Sequence, residues 1–216
     1  MQVIDPINGI FYVCVLIMSV VIHEFAHGYV AYRYGDQTAR AAGRLTLNPL
    51  KHLDLFGSVI LPLLLILMQA GFVIGWARPV PYNPRNLRGG RKSVIMVSLA
   101  GIIANVLIAV IFGLLIRFGF SFDILASDSN PLGMHPFYVI ASIIVFTNLV
   151  LAVFNIISIP PLDGSKVLFS LLPARLRFIE NFLTQWGMFL LLLFIIFLWS
   201  RIEPIISVLF SLITGL

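Results

Sequence analysis

Charge and cysteine are both scarce in this chain. Only 11% of its 216 residues are Asp, Glu, Lys or Arg, there is one cysteine, Cys14, and there are four histidines. A single thiol excludes an intramolecular disulfide, and Cys14 reads as a small apolar helix residue. So little charge is not enough to cover a water-soluble domain. No linker, repeat or low-complexity tract divides the chain, which reads as one domain over residues 1–216. Basic side chains exceed acidic ones, 14 to 9, but they lie in short loops without interleaved aromatics, which argues against a nucleic-acid partner.

Apolar residues are abundant: 60% of the chain is hydrophobic and the mean hydropathy is +1.03. A helix that crosses a bilayer needs roughly 20 mostly apolar residues. Runs at 8–33, 53–71, 94–117, 137–157 and 184–200 meet or approach that length, and a shorter one occupies 202–216. These runs predict an all-α polytopic membrane protein with about five to six membrane segments. The first run lacks a basic leader and a small-residue cleavage site, so it is expected to remain in the mature protein rather than be removed as a signal peptide.

That first run contains His23-Glu24-Phe25-Ala26-His27. On a helix, residues i and i+4 share a face, so both imidazoles can reach one metal, with Glu24 beside them. On this composition the pattern arises by chance roughly once in a thousand such chains. With a helix starting near Asn8, His23 lies about 23 Å along it, inside a hydrocarbon core about 30 Å thick. Ionisable groups at that depth face a cavity, a partner or a metal. A catalytic zinc usually takes three protein ligands, so a third must come from elsewhere. His52, His135 and the aspartates form the pool. Asp163 stands out because it follows an apolar run in Asn155-Ile-Ile-Ser-Ile-Pro160-Pro161-Leu162-Asp163-Gly164, where prolines and a glycine can break the helix and aim a carboxylate into a cavity. A plain helix-ending turn capped by Asp163 is the competing reading.

The H-E-x-x-H on a membrane helix, together with the later N-x-x-S-x-P-x-x-D-G, resembles the site-2 protease family of intramembrane zinc proteases. The resemblance covers most of the chain. It implies His23, His27 and Asp163 as ligands of one Zn2+, Glu24 as general base, and Asn155 as a group that binds the scissile carbonyl or its oxyanion. Ala100-Gly101-Ile102-Ile103-Ala104-Asn105 is similar to the family's small-residue motif, with Gly101 and Asn105 read mainly as packing residues. Ser158 and Ile102 stand where the family often has proline, which bears on local backbone geometry. No stretch suits the peptide-binding PDZ or nucleotide-sensing modules of some relatives, so the chain resembles the minimal members.

One metal can join His23, His27 and Asp163 only if an even number of crossings separates them. Runs 94–117 and 137–157 supply two, so 53–71, interrupted by Gly57 and Pro62, is expected to re-enter rather than span. Segments 33–52, 72–93 and 158–183 hold four, five and three Lys or Arg residues, which places them in the cytoplasm. Arg117 and Arg201 remain for the opposite side, where long side chains can snorkel. This predicts a protein of the cell (inner) membrane with its N-terminus outside and its active site toward the cytoplasmic leaflet. His52 then lies near the cavity and His135 on the opposite surface.

The expected activity is hydrolysis of peptide bonds in a membrane-spanning protein or peptide, with membrane lipid as the other partner. A substrate helix must unwind before attack, so an extended binding edge is expected, formed as short β-strands near the active site from Gly43–Asn48 and from 75–82. The alternatives are a metal-dependent transporter, which needs no base at Glu24, and an inactive scaffold of the same fold.

Overall fold

The computed structural model describes residues 6–68, 78–121 and 136–216. Helix α1 (Pro6–Arg33) is followed by the short α2 (Thr38–Ala41). A π-helical stretch, Leu55–Ile60, then runs directly into α3 (Leu61–Leu67). The long helices α4 (Arg91–Ser121) and α5 (Pro136–Asn155) come next, then the short α6 (Asp163–Leu171) and finally α7 (Arg177–Thr214). Four helical stretches are long and apolar enough to cross a membrane: Phe11–Arg33, Arg91–Gly119, Phe137–Asn155 and, counting the 3-10 turn that leads into α7, Ala174–Thr214. The protein is an integral membrane protein built from helices.

Helix α4 lies at the centre and packs against α1, α5, α6 and α7. Its lower half, with α5 and α7, encloses a core of Ala109, Ile116, Ala141, Val145, Leu149 and Ile206. A second cluster, Ala31, Leu87 and Val97, joins the end of α1 to the start of α4. Many large apolar side chains face outward, including Leu107, Ile111, Phe189 and Ile196. Such an exterior is stable in lipid, where no water penalises it.

Two expectations about the segments change. Runs 184–200 and 202–216 are one continuous 38-residue helix, because Arg201, Glu203 and Pro204 interrupt the hydropathy without ending the helical hydrogen bonding. Among the described residues there is no β-strand: 43–48 and 78–82 lie outside regular structure. Their backbone groups are engaged otherwise. The Arg78 N–H donates to the His52 carbonyl at 2.7 Å, the Pro79 carbonyl accepts from Arg44, and the Thr46 carbonyl accepts from His52 Nε2 at 2.8 Å. Residues 75–77 of the second expected edge lie outside the described residues.

Run 53–71 contains a helical stretch of six plus seven residues, Leu55–Leu67. At 1.5 Å per residue that is about 20 Å, short of the roughly 30 Å hydrocarbon core. The path after Met68, which would complete a re-entrant turn, falls outside the described residues, as does His135. Arg117, one of the two basic residues assigned to the opposite side, donates to the Leu212 carbonyl at 2.9 Å. It caps the last turn of α7 with positive charge, where the helix dipole is negative.

Candidate metal centre

His23 and His27 sit one helical turn apart on α1 and both are buried, 6% and 5% exposed. Asp163, 5% exposed, is the first residue of α6. It therefore starts that helix rather than capping α5. The residue after it explains how the carboxylate gets there. A Cβ on Gly164 would lie 2.3 Å from the Ile156 carbonyl oxygen and 2.6 Å from that of Ile157, so only glycine lets α6 start against the turn that ends α5.

The three side chains converge on one point. Asp163 Oδ2 is 3.0 Å from His23 Nε2 and 2.9 Å from His27 Nε2, and the two Nε2 atoms are 3.0 Å apart. Among the described residues, these three form the group of His, Cys, Asp and Glu side chains close enough to hold one ion. His27 Nδ1 donates to the Val97 carbonyl at 2.6 Å, which leaves Nε2 with its lone pair toward the carboxylate. With both imidazoles neutral, at most one proton, from His23, is left for the three facing acceptors. A cation satisfies all three at once. Four-coordinate zinc, with bonds of about 2.0–2.1 Å, spaces its ligands about 3.3 Å apart, so small adjustments admit it.

The surroundings hold these groups in place. A Cβ at Gly101 would fall 2.5–2.6 Å from three atoms of the His23 ring, so this glycine makes room for an imidazole rather than for a neighbouring backbone. The other oxygen of Asp163, Oδ1, accepts from Lys166 Nζ at 2.8 Å, and that ammonium lies 5.8 Å from the centre of the Tyr82 ring. Burial pushes the Lys166 amine toward neutrality, but Asp163, Tyr82 and Glu24 outweigh it and keep its pKa above the ordinary lysine value. Glu24 Oε2 accepts from the Val80 N–H at 2.8 Å, so the segment before α4 fixes this carboxylate.

Asn155, the last residue of α5, donates through Nδ2 to the Leu151 carbonyl at 2.9 Å and has no bond to the trio. His52 is fully buried but stands apart from the trio, donating to Thr46. Three contributors escaped the sequence reading. The Val97 carbonyl and the Val80 N–H are backbone groups with no residue signature. Lys166 was legible only through its i+3 spacing from Asp163 once α6 is known to begin there.

The model of Peptidase family M50 matches residues 11–197, nearly the whole chain and both halves of the trio. The chain belongs to peptidase family M50. This is the site-2 protease family that the two motifs resembled. Among the relatives of this M50 chain is "Putative zinc metalloprotease YwhC" of Bacillus subtilis, 40% identical over 195 residues, which cover 89% of this chain and 80% of the relative. "Putative zinc metalloprotease Rip2" of Mycolicibacterium smegmatis is 38% identical over 114 residues, 50% of this chain and 42% of that protein. The Rip2 of Mycobacterium tuberculosis is 29% identical over 156 residues, 70% of this chain and 53% of that protein. No solved structure matches the chain.

Proposed function

We propose that this M50 chain is a zinc-dependent endopeptidase that cuts membrane-spanning proteins within or beside the bilayer. The observation that carries the reading is the trio of lone-pair donors about 3 Å apart, one residue from a carboxylate held by the backbone. His23 Nε2, His27 Nε2 and Asp163 Oδ2 would hold one Zn2+. Bound there, zinc supplies Lewis acidity, polarising the scissile carbonyl and acidifying water.

The protein's own groups do the rest. Glu24 takes a proton from the attacking water and passes it to the leaving amine, and its hydrogen bond to Val80 keeps the carboxylate oriented for both transfers. Lys166 occupies Asp163 Oδ1, so the carboxylate offers a single oxygen to the metal. The Asn155 amide has a second N–H beyond the one given to Leu151, and that hydrogen is available to the substrate carbonyl or its oxyanion. Residues 43–48 and 78–82, free of helix, would receive an unwound substrate backbone. The orientation follows from the basic loops: N-terminus outside the cell membrane, site toward the cytoplasmic leaflet.

The test uses purified full-length protein in detergent, with metal content by mass spectrometry and cleavage of a single-span membrane substrate. One zinc per chain, lost in Asp163→Ala, and cleavage abolished in Glu24→Gln with zinc retained are the expected results. Unchanged cleavage in Glu24→Gln removes Glu24 from the role of base, and a wild type that binds zinc without cleaving overturns the peptidase reading in favour of a transporter or an inactive scaffold.

A further inference from the structure

One turn deeper in the membrane than His23 lies a second polar group that the peptidase reading does not use. Ser19, Asn105 and Asn148 are 4%, 0% and 0% exposed, in the middle of helices α1, α4 and α5. Asn148 Nδ2 donates to Ser19 Oγ at 2.9 Å and to the Ile144 carbonyl at 2.9 Å. Asn148 Oδ1, both polar atoms of Asn105 and His23 Nδ1 are buried without a protein partner. Burying an amide without a hydrogen-bond partner is destabilising. Two such side chains beside an imidazole call for a shared ligand.

The helix register brings these atoms together. His27 bonds the Val97 carbonyl and the His23 ring fills the space at Gly101. Moving down α1 by four residues therefore matches moving up α4 by four, and the next step sets Ser19 level with Asn105. Asn148 joins this level through Ser19. Four residues of helix rise about 6 Å, which is the reach of one water making two hydrogen bonds of about 2.8 Å. A buried water needs two to four polar partners, and the orphaned atoms offer that number. The two histidines also differ in a telling way. His27 has a carbonyl to receive its Nδ1–H, whereas His23 faces the bare Cα of Gly101.

We propose that Ser19, Asn105 and Asn148 enclose a structural water site behind His23, where a water accepts the Nδ1–H of His23 and turns its Nε2 toward the metal. Asn105 is then a positioning residue. This inference rests on the proposed metal site and concerns how firmly that site is held.

The test compares Asn105→Ala with Asn105→Ser in the purified full-length chain, because the two differ by one hydroxyl able to keep the water. Zinc release to a chelator and the visible spectrum of the cobalt-loaded protein are the readouts. Asn105→Ala is expected to release metal about 10- to 100-fold faster and to shift the cobalt bands. Asn105→Ser is expected to stay within a few-fold of wild type. Alanine and serine variants that behave alike overturn the positioning role. Nitrogen-15 NMR of His23 in the wild-type protein gives an arm free of substitutions: an Nδ1–H resonance with a cross peak to water is expected, and its absence overturns the water site. A wild-type chain that takes up neither zinc nor cobalt defeats the proposed function together with the positioning role, and is distinguished by that.

Discussion

Two buried aspartates begin the two short helices' neighbourhoods, and their partners could hardly differ more. Asp36, fully buried after α1, accepts from the Thr38 N–H at 3.1 Å, the Thr38 hydroxyl at 2.5 Å, the Asn83 N–H at 2.6 Å and Asn86 Nδ2 at 3.0 Å. Every partner is a donor, so the carboxylate is satisfied and ties the end of α1 to the segment before α4. Burial pushes its pKa up, but the bonds from Thr38, Asn83 and Asn86 outweigh that and hold it below the ordinary carboxylate value. Asp163 has one ammonium on Oδ1 and two imidazole nitrogens on Oδ2. A carboxylate surrounded by donors is suited to a structural role, whereas one whose oxygen meets two imidazoles with at most one proton between them is suited to sharing a cation.

The sharpest way to break this contrast is to remove each carboxylate's charge in turn. Asp163→Asn is expected to abolish stoichiometric zinc in purified protein while leaving most helical circular dichroism. Next in size, Gly101→Ala is expected to weaken zinc binding by about 1–3 kcal/mol, the ordinary cost of overpacking, read by chelator competition. Asp36→Asn is expected to keep zinc at the wild-type level and to lower unfolding stability in detergent by about 1–3 kcal/mol, because its amide would turn N–H groups toward existing donors.

The smallest effect is on pH. Since the folded Asp36 has a lowered pKa, its contribution is fully present above the unfolded value of about 3.9 and is lost as pH falls below it toward the folded value. Thermal unfolding of the wild type should thus weaken more below about pH 4 than that of Asp36→Asn. Parallel curves would refute the stabilising role of the charge.

Much of this arrangement was legible in the sequence because chemistry and spacing coincide. The i, i+4 histidines mark one helical face, and the prolines and glycine around Asp163 mark a break that aims a side chain inward. The Asp36 cluster was not legible, since it pairs residues nearly 50 positions apart through backbone N–H groups that every residue carries. The single long α7 was also hidden: Arg201, Glu203 and Pro204 read as an interruption in hydropathy, yet charged side chains can leave a helix surface without ending its hydrogen bonding. The expected strands failed for a related reason. Alternation and proline predict an extended backbone, but a strand also requires a neighbour, and 43–48 and 78–82 bond to loops and side chains instead.

His23 and Asp163 stand 140 residues apart in the chain, on α1 and α6. An ion gripped by both closes that long loop as a covalent cross-link would. With a lone cysteine the chain cannot make an intramolecular disulfide, so the proposed metal would also serve as its staple, and stripping it should loosen the fold as well as silence the proposed chemistry.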